Sequence, residues 1–184
     1  KHKRIIPLFI FDRSLEEYNK IGEASHWWLE KSLISLSKDL NQKFNVLEGN
    51  SLEIITKIIK EEKIKHVYWN RCYEPDRIAA DTFLKKEIRK LNVFAESFNS
   101  SLLWEPWKVK NKSGNFYKVF TPFFKKGCLE TDQPRIPFNK PKELFFLKLF
   151  KKDNIYKFKF QSSKDKWYSK FEKIWNSCFS EEFK

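Results

Sequence analysis

FNVLEGNSLEIITKIIKEEKIKHVYWNRCYEPDRIAADTFLKKEIRKLNVFAESF, residues 44–98, switches back and forth between the two hydrophobic periods that distinguish strands from helices. Phe44–Leu47 reads as a short strand, and Gly49 and Asn50 turn the chain into a helix capped by Ser51. Leu52, Ile55, Ile58 and Ile59 share one face of that helix. His66–Trp69 (HVYW) is the next strand; a helix over 76–90 then places Ala80, Leu84, Ile88 and Leu91 on one stripe, and Val93–Phe98 closes the series as a strand. Upstream the pattern is the same. Ile5–Phe11 (IIPLFIF) is an unbroken apolar run, the signature of a strand covered on both faces. It is followed by a helix from about Ala24 to Leu40, with Ser25 as N-cap and Leu29, Leu33, Leu36 and Leu40 recurring at intervals of three to four. The order βαβαβαβ with short connections predicts an α/β domain with a Rossmann-like open parallel sheet and helices on both faces.

Beyond Ser100 the periodicity dissolves into aromatic, proline-punctuated loops, with an apolar stretch at Leu144–Phe150 and a helix predicted from Trp167 to Trp175. The 184 residues suffice for one domain, or one domain with an attached segment, and 41% hydrophobic against 33% charged residues is a globular composition. Four glycines exclude a glycine-rich architecture. No apolar run approaches the roughly 20 residues of a membrane-spanning helix, and no secretory signal is recognisable, so the chain reads as soluble and cytoplasmic. Cys72, Cys128 and Cys178 are too few and too far apart for a disulfide framework or a Cys-x-x-Cys motif.

The net charge of +13 is unevenly placed: residues 1–105 carry net +2 and residues 106–184 net +11. A basic tail of this kind invites contact with a polyanion, although 31 of the 37 basic residues are Lys and the richness in Ile, Phe and Asn reflects a general compositional bias.

In an open parallel sheet, ligands gather outside the carboxyl ends of the strands. Here those ends lead into Asp12–Ser14, Glu48–Ser51, Asn70–Asp76 and Asn99–Ser101. No glycine-rich dinucleotide or triphosphate fingerprint follows any strand. His2, His26 and His66 lack ligand-like spacing, and Glu74 with Asp76 is the acidic pair expected at a helix entrance, where carboxylates complement the dipole. The residues by themselves define a ligand-binding parallel α/β domain.

WNRCYEPDRIAAD (Trp69–Asp81), ESFNSSLLWEPW (Glu96–Trp107) and GNFYKVFTPFFK (Gly114–Lys125) resemble three consecutive signatures of the N-terminal domain of the DNA photolyase/cryptochrome family. RIIPLFIFD (Arg4–Asp12) and GEASHWWLEKSL (Gly22–Leu33) are similar to that domain's second strand and following helix, so the resemblance covers residues 4–127 almost collinearly. YKVFTPF is its most specific part. Residues 128–184 are then a basic interdomain linker, with Lys166–Phe183 approaching a helical FAD-binding domain beyond this sequence.

The resemblance implies a two-part flavoenzyme: an α/β part that often carries an antenna chromophore, and a helical part that holds FAD and an extruded pyrimidine dimer of UV-damaged DNA. It also implies an opening strand and helix before Lys1; since that strand is central in the family's sheet, its absence would leave Ile5–Phe11 with a bare apolar edge. The sequence is therefore expected to be a portion of a longer protein, with no membrane association and no catalysis by itself. The electron-transferring tryptophans belong to the helical part, so the seven Trp here are expected to serve packing. An antenna would rest on Phe11, Asp12, Asn70, Tyr73, Glu74 and Asp76. The folate type holds its pterin with an Asn and a Glu where this chain has Asp76 and Arg77, and offers a His where this chain has Gly22. A deazaflavin or flavin antenna and an empty pocket therefore both stay open, with folate disfavoured. Beside DNA repair, a cryptochrome-type light sensor and a stand-alone nucleotide-binding module stay open.

Overall fold

Pro7 cuts the apolar run short. Proline cannot donate to a strand ladder, so the predicted Ile5–Phe11 strand narrows to β1, Leu8–Phe11, in the computed structural model, which describes residues 4–12, 22–139, 144–149 and 167–174. Arg13, Ser14, Phe150, Trp175, Cys178 and most of the Lys166–Phe183 tail lie outside the described residues. The remaining order is α1 (Glu23–Asp39), β2 (Asn45–Glu48), α2 (Ser51–Glu61), β3 (His66–Asn70), α3 (Pro75–Lys90) and β4 (Phe94–Phe98). The βαβαβαβ alternation is thus observed, with parallel pairing throughout. The chain divides into two compact units, Lys1–Ile54 with Lys142–Lys184, and Ile55–Pro141.

In the first unit β1 pairs in parallel with β2, from Leu8↔Asn45 to Phe11↔Glu48. Leu33 of α1 closes over Phe11, Phe44 and Val46, and Phe9, Leu29, Ile34 and Leu40 pack around them. Both helix starts differ from expectation. Gly22, in extended conformation, is the N-cap of α1, which places Ser25 within the helix and acidic Glu23 in the first turn. At α2 it is the Asn50 side chain that accepts the Glu53 N–H (3.1 Å), while the Ser51 N–H points back to Asp12. Asn at a cap competes well with Ser. Gly49, at φ +137°, makes the preceding turn.

Residues downstream return to this unit. Ile5 bridges in parallel to Phe146, its N–H reaching Phe145 O (2.9 Å) and its carbonyl accepting Leu147 N–H (2.8 Å), so this end of the apolar run is not bare. Asn45, 2% exposed, sits at the junction: its amide donates to Pro7 O (3.0 Å) and more weakly to Leu147 O (3.4 Å), and its Oδ1 accepts Leu149 N–H at 2.8 Å. Residues 169–174 are helical, in line with the helix predicted there, and Lys31 of α1 ion-pairs with Glu172 at 2.6 Å. Trp27 meets Trp167 beside that pair, and burial pushes the neighbouring Glu30 carboxyl above its ordinary pKa, with Lys31 opposing the rise and Glu172 adding to it.

In the second unit β3 pairs in parallel with β4, from His66↔Phe94 to Asn70↔Phe98. Ile59 of α2 and Ile88 of α3 bury against Val93 and Ala95, flanked by Val67, Trp69 and Leu84. The opposite side of this ladder carries a cluster of aromatic rings, His66, Tyr68, Phe94 and Phe98, all exposed. After β4 the chain forms a single 3-10 turn, Pro106–Lys108, and later a helical turn, Phe120–Pro122, that widens into a π-helix, Phe123–Leu129.

Gly127 in that π-helix has no room for a side chain: a Cβ would lie 2.7 Å from Val109 Cγ1 and 2.9 Å from Tyr117 Cε2. Gly127→Ala is expected to destabilise the fold by about 1–3 kcal/mol, the usual range for overpacking. An unchanged urea midpoint would show that Val109 and Tyr117 both give way at no cost.

Candidate functional site at the carboxyl ends of the strands

Arg71 leaves β3 as the chain turns toward α3, and its backbone N–H stays tied to Phe98 O of β4 (2.9 Å). Its guanidinium reaches across the strand ends. Nη2 donates to Ser97 O (2.7 Å), Nε donates to Ser97 Oγ (3.3 Å), and Nη1 ion-pairs with Glu105 Oε1. Glu105 is only 8% exposed, so its charge needs that partner. The Tyr73 hydroxyl adds a second donor to the same oxygen at 2.8 Å, and Lys85 Nζ of α3 donates to Ser97 Oγ at 3.1 Å. Trp107, from the 3-10 turn, lies under the guanidinium (5.3 Å) and against the Tyr73 ring (5.8 Å) while staying 47% exposed.

The network fixes the loop after β3 to the segment after β4. The Ser97 hydroxyl that meets Lys85 Nζ is only 4% exposed and also accepts from Arg71, so the chemistry of the network is positioning: a fixed cation, a buried carboxylate and a half-open indole face. Tyr73 ionises later than usual, first because burial disfavours the phenolate and then because Glu105 accepts its proton in a hydrogen bond and repels its anion. A folded-state pKa above the unfolded one means that this contribution to stability is complete below about pH 10 and is lost as pH rises further. Tyr73→Phe is expected to cost about 1 kcal/mol at neutral pH and to flatten the alkaline decline, measured by urea unfolding at neutral and alkaline pH. An alkaline limb identical to wild type would separate Tyr73 from that decline.

The six residues expected to seat a chromophore fall into separate settings. Phe11 is 3% exposed and packed in the first unit's core, edge-on to His26 at 6.1 Å. Asp12, 5% exposed, accepts the Ser51 N–H at 2.7 Å and so anchors the start of α2 to the end of β1. Asn70, Tyr73, Glu74 and Asp76 belong to the second unit. Asn70 ends β3 and is exposed; Glu74 is the N-cap of α3 without a side-chain cap bond, its carboxylate accepting the Tyr73 N–H instead (3.1 Å); Asp76 stands exposed in the first turn. Ser97, Glu105 and Trp107 escaped the sequence reading as site residues, and Arg71 entered it only as part of the Asn70–Asp76 loop, although all four lie inside the quoted signature segments.

The description "DNA photolyase" belongs to a family model that matches residues 1–142 of this chain. The chain belongs to the DNA photolyase family. A deoxyribodipyrimidine photo-lyase of Agrobacterium fabrum is 34% identical over 176 residues, which is 93% of this chain and 36% of that protein. Cryptochrome-1 of Arabidopsis thaliana is 26% identical, over 76% of this chain and 21% of its own length. Among solved structures, a bacterial class III photolyase from Agrobacterium tumefaciens superimposes with TM-score 0.79 at 33% identity, over 92% of this chain and 35% of that one. The photolyase-family chain therefore spans about a third or less of these relatives. Among the described residues, no helix is long and apolar enough to cross a membrane.

Proposed function

We propose that this chain is the amino-terminal portion of a deoxyribodipyrimidine photo-lyase, an enzyme that uses light to reverse UV-induced pyrimidine dimers in DNA. The observation that carries the reading is the 34% identity to a photo-lyase sustained over 93% of the chain, against 26% over 76% for a cryptochrome. FAD and the flipped lesion belong to a helical portion of the whole protein, and residues 128–184 form the basic link toward it. By this reading residues 1–184 alone are inactive, and the whole protein is cytoplasmic.

Phe11 and Asp12 already serve a core and a helix start. The residues that would hold a deazaflavin or flavin antenna are therefore Asn70, Tyr73, Glu74 and Asp76, with the exposed Trp107 ring offering a face for a planar group to stack on. When bound, such a chromophore would absorb light and pass its excitation on. A folate fits less well, since Arg77 stands where the folate type has an acid. A spectrum of the complete protein explained by FAD alone would remove the antenna.

The deciding experiment gives the complete protein UV-irradiated DNA under blue light. Light-dependent loss of dimers is expected; intact dimers despite bound FAD would favour a light sensor of the cryptochrome type instead. Contacts from the basic tail to phosphates should make DNA affinity fall steeply with salt.

A further inference from the structure

Residues 167–174 lie against α1 through one aromatic and one ionic contact. The Trp27 and Trp167 rings meet at 6.4 Å, and Lys31 Nζ, 5.9 Å from the Trp27 ring, pairs with Glu172 at 2.6 Å. The pair is sheltered, with the Lys31 side chain 25% exposed and that of Glu172 34%. Residues 169–174 are too short a helix to persist in water by themselves, so what they pack on keeps them helical. Glu30 precedes Lys31 in the chain and is itself half-buried. Two carboxylates thus lie within the field of one ammonium. Burial disfavours the charged form of Glu30 most strongly, Lys31 opposes that effect and Glu172 adds to it. The other titratable groups of the two elements are Tyr168, Lys170 and Lys173 on the docked helix, Glu23 and His26 before Glu30 on α1, and Lys38 and Asp39 at the far end of α1.

We propose that Glu30, Lys31 and Glu172 form a proton-sensitive latch that fastens residues 167–174 to α1 and closes more tightly as pH falls. At neutral pH, docking takes the Glu30 charge out of water and toward Glu172, a cost that the Lys31–Glu172 pair offsets only in part. A proton on Glu30 removes that cost and leaves the ion pair in place. The direction follows from linkage. Glu30 holds its proton more firmly docked than released, so docking is strengthened as pH falls toward the ordinary Glu range and loses that gain as pH rises through the docked value. The latch is built from the first unit's own residues and stands whether or not the whole protein repairs DNA.

The test follows the Glu172 amide, which donates to Tyr168 O (2.9 Å), by hydrogen exchange in the full chain. The Gly49 amide, bonded to Phe11 O across the β1–β2 ladder (3.1 Å), is the internal reference for the fold as a whole. After correction for intrinsic exchange, protection of Glu172 relative to Gly49 is expected to be about 2-fold or more higher at about pH 5 than at about pH 8. Glu30→Gln should hold the acid level of protection at both pH values. Lys31→Met should lower protection at about pH 8 and steepen its recovery on acidification, because the two carboxylates then have no cation beside them; a merely structural role for Lys31 would lower protection equally at both. His26→Gln should leave the profile as it is. Protection that is equal at the two pH values or falls on acidification, a pH dependence that survives Glu30→Gln or vanishes with His26→Gln, or an unprotected Glu172 amide throughout would each overturn the proposal.

Discussion

Glu105→Ala is expected to destabilise the second unit by about 3 kcal/mol, the scale of breaking a largely buried ion pair from one side. Glu105 is 8% exposed, and it accepts from both the Arg71 guanidinium and the Tyr73 hydroxyl. Removing it leaves a guanidinium facing Ser97 and Trp107 with no counter-charge and a phenol without an acceptor. Urea unfolding measures the loss. The amide of Glu105→Gln retains an acceptor but not the charge, so it should fall between wild type and Ala. Replacing both charges, Arg71→Met with Glu105→Leu, should recover much of the loss, because an apolar pair carries no desolvation penalty. If Glu105→Ala stays within about 0.5 kcal/mol of wild type, solvent reaches the pair and the network does not hold the two loops together.

The alternation of strands and helices was legible because both periods are clean: leucines and isoleucines recur every three to four residues, and the strands are short runs between turn residues. The ends of elements were less so. Ser25 and Ser51 are good caps by propensity, yet Gly22 and Asn50 occupy the positions, since a helix start is fixed by where the preceding strand delivers the chain as well as by side-chain preference. Phe11 and Asp12 were legible as the end of a strand, but not as core and helix anchor, because burial depends on what packs against them. Arg71 and Glu105 are opposite charges 34 residues apart in sequence. Only the parallel register of β3 with β4 brings their loops together, and no local pattern encodes a register. YKVFTPF was the most specific segment of the resemblance, yet its exposed Phe120 has no signature that separates a surface ring from a core ring.

Asn45 is the other residue whose role only the fold reveals, and its substitution should have an effect as large. Asn45 lies inside the Phe44–Leu47 run that reads as a strand, and nothing in that run marks its side chain, but it is 2% exposed and joins three stretches of chain: Pro7 before β1, the start of β2, and residues 147–149. Asn45→Leu keeps the branching and heavy-atom count of the side chain and removes the polar atoms. Pro7 O retains the backbone N–H of residue 45 (3.0 Å), but Leu149 N–H loses its acceptor, and the expected cost is about 2–3 kcal/mol. The loss should be local first: hydrogen exchange at the Leu147 and Leu149 amides should accelerate more than at Val46, whose strand pairing to β1 is unaffected. Asn45→Asp separates the two halves of the side chain's role. It keeps an oxygen for Leu149 N–H but turns a carboxylate toward the carbonyls of Pro7, Lys43 and Leu147, so at neutral pH it should be less stable than Asn45→Leu. Burial raises the pKa of such a carboxylate in the folded state, so that variant should gain stability as pH falls and the group takes up its proton. Equal exchange rates at Leu147 and Val46 in Asn45→Leu would mean that the Ile5–Phe146 bridge alone holds residues 144–149 in place.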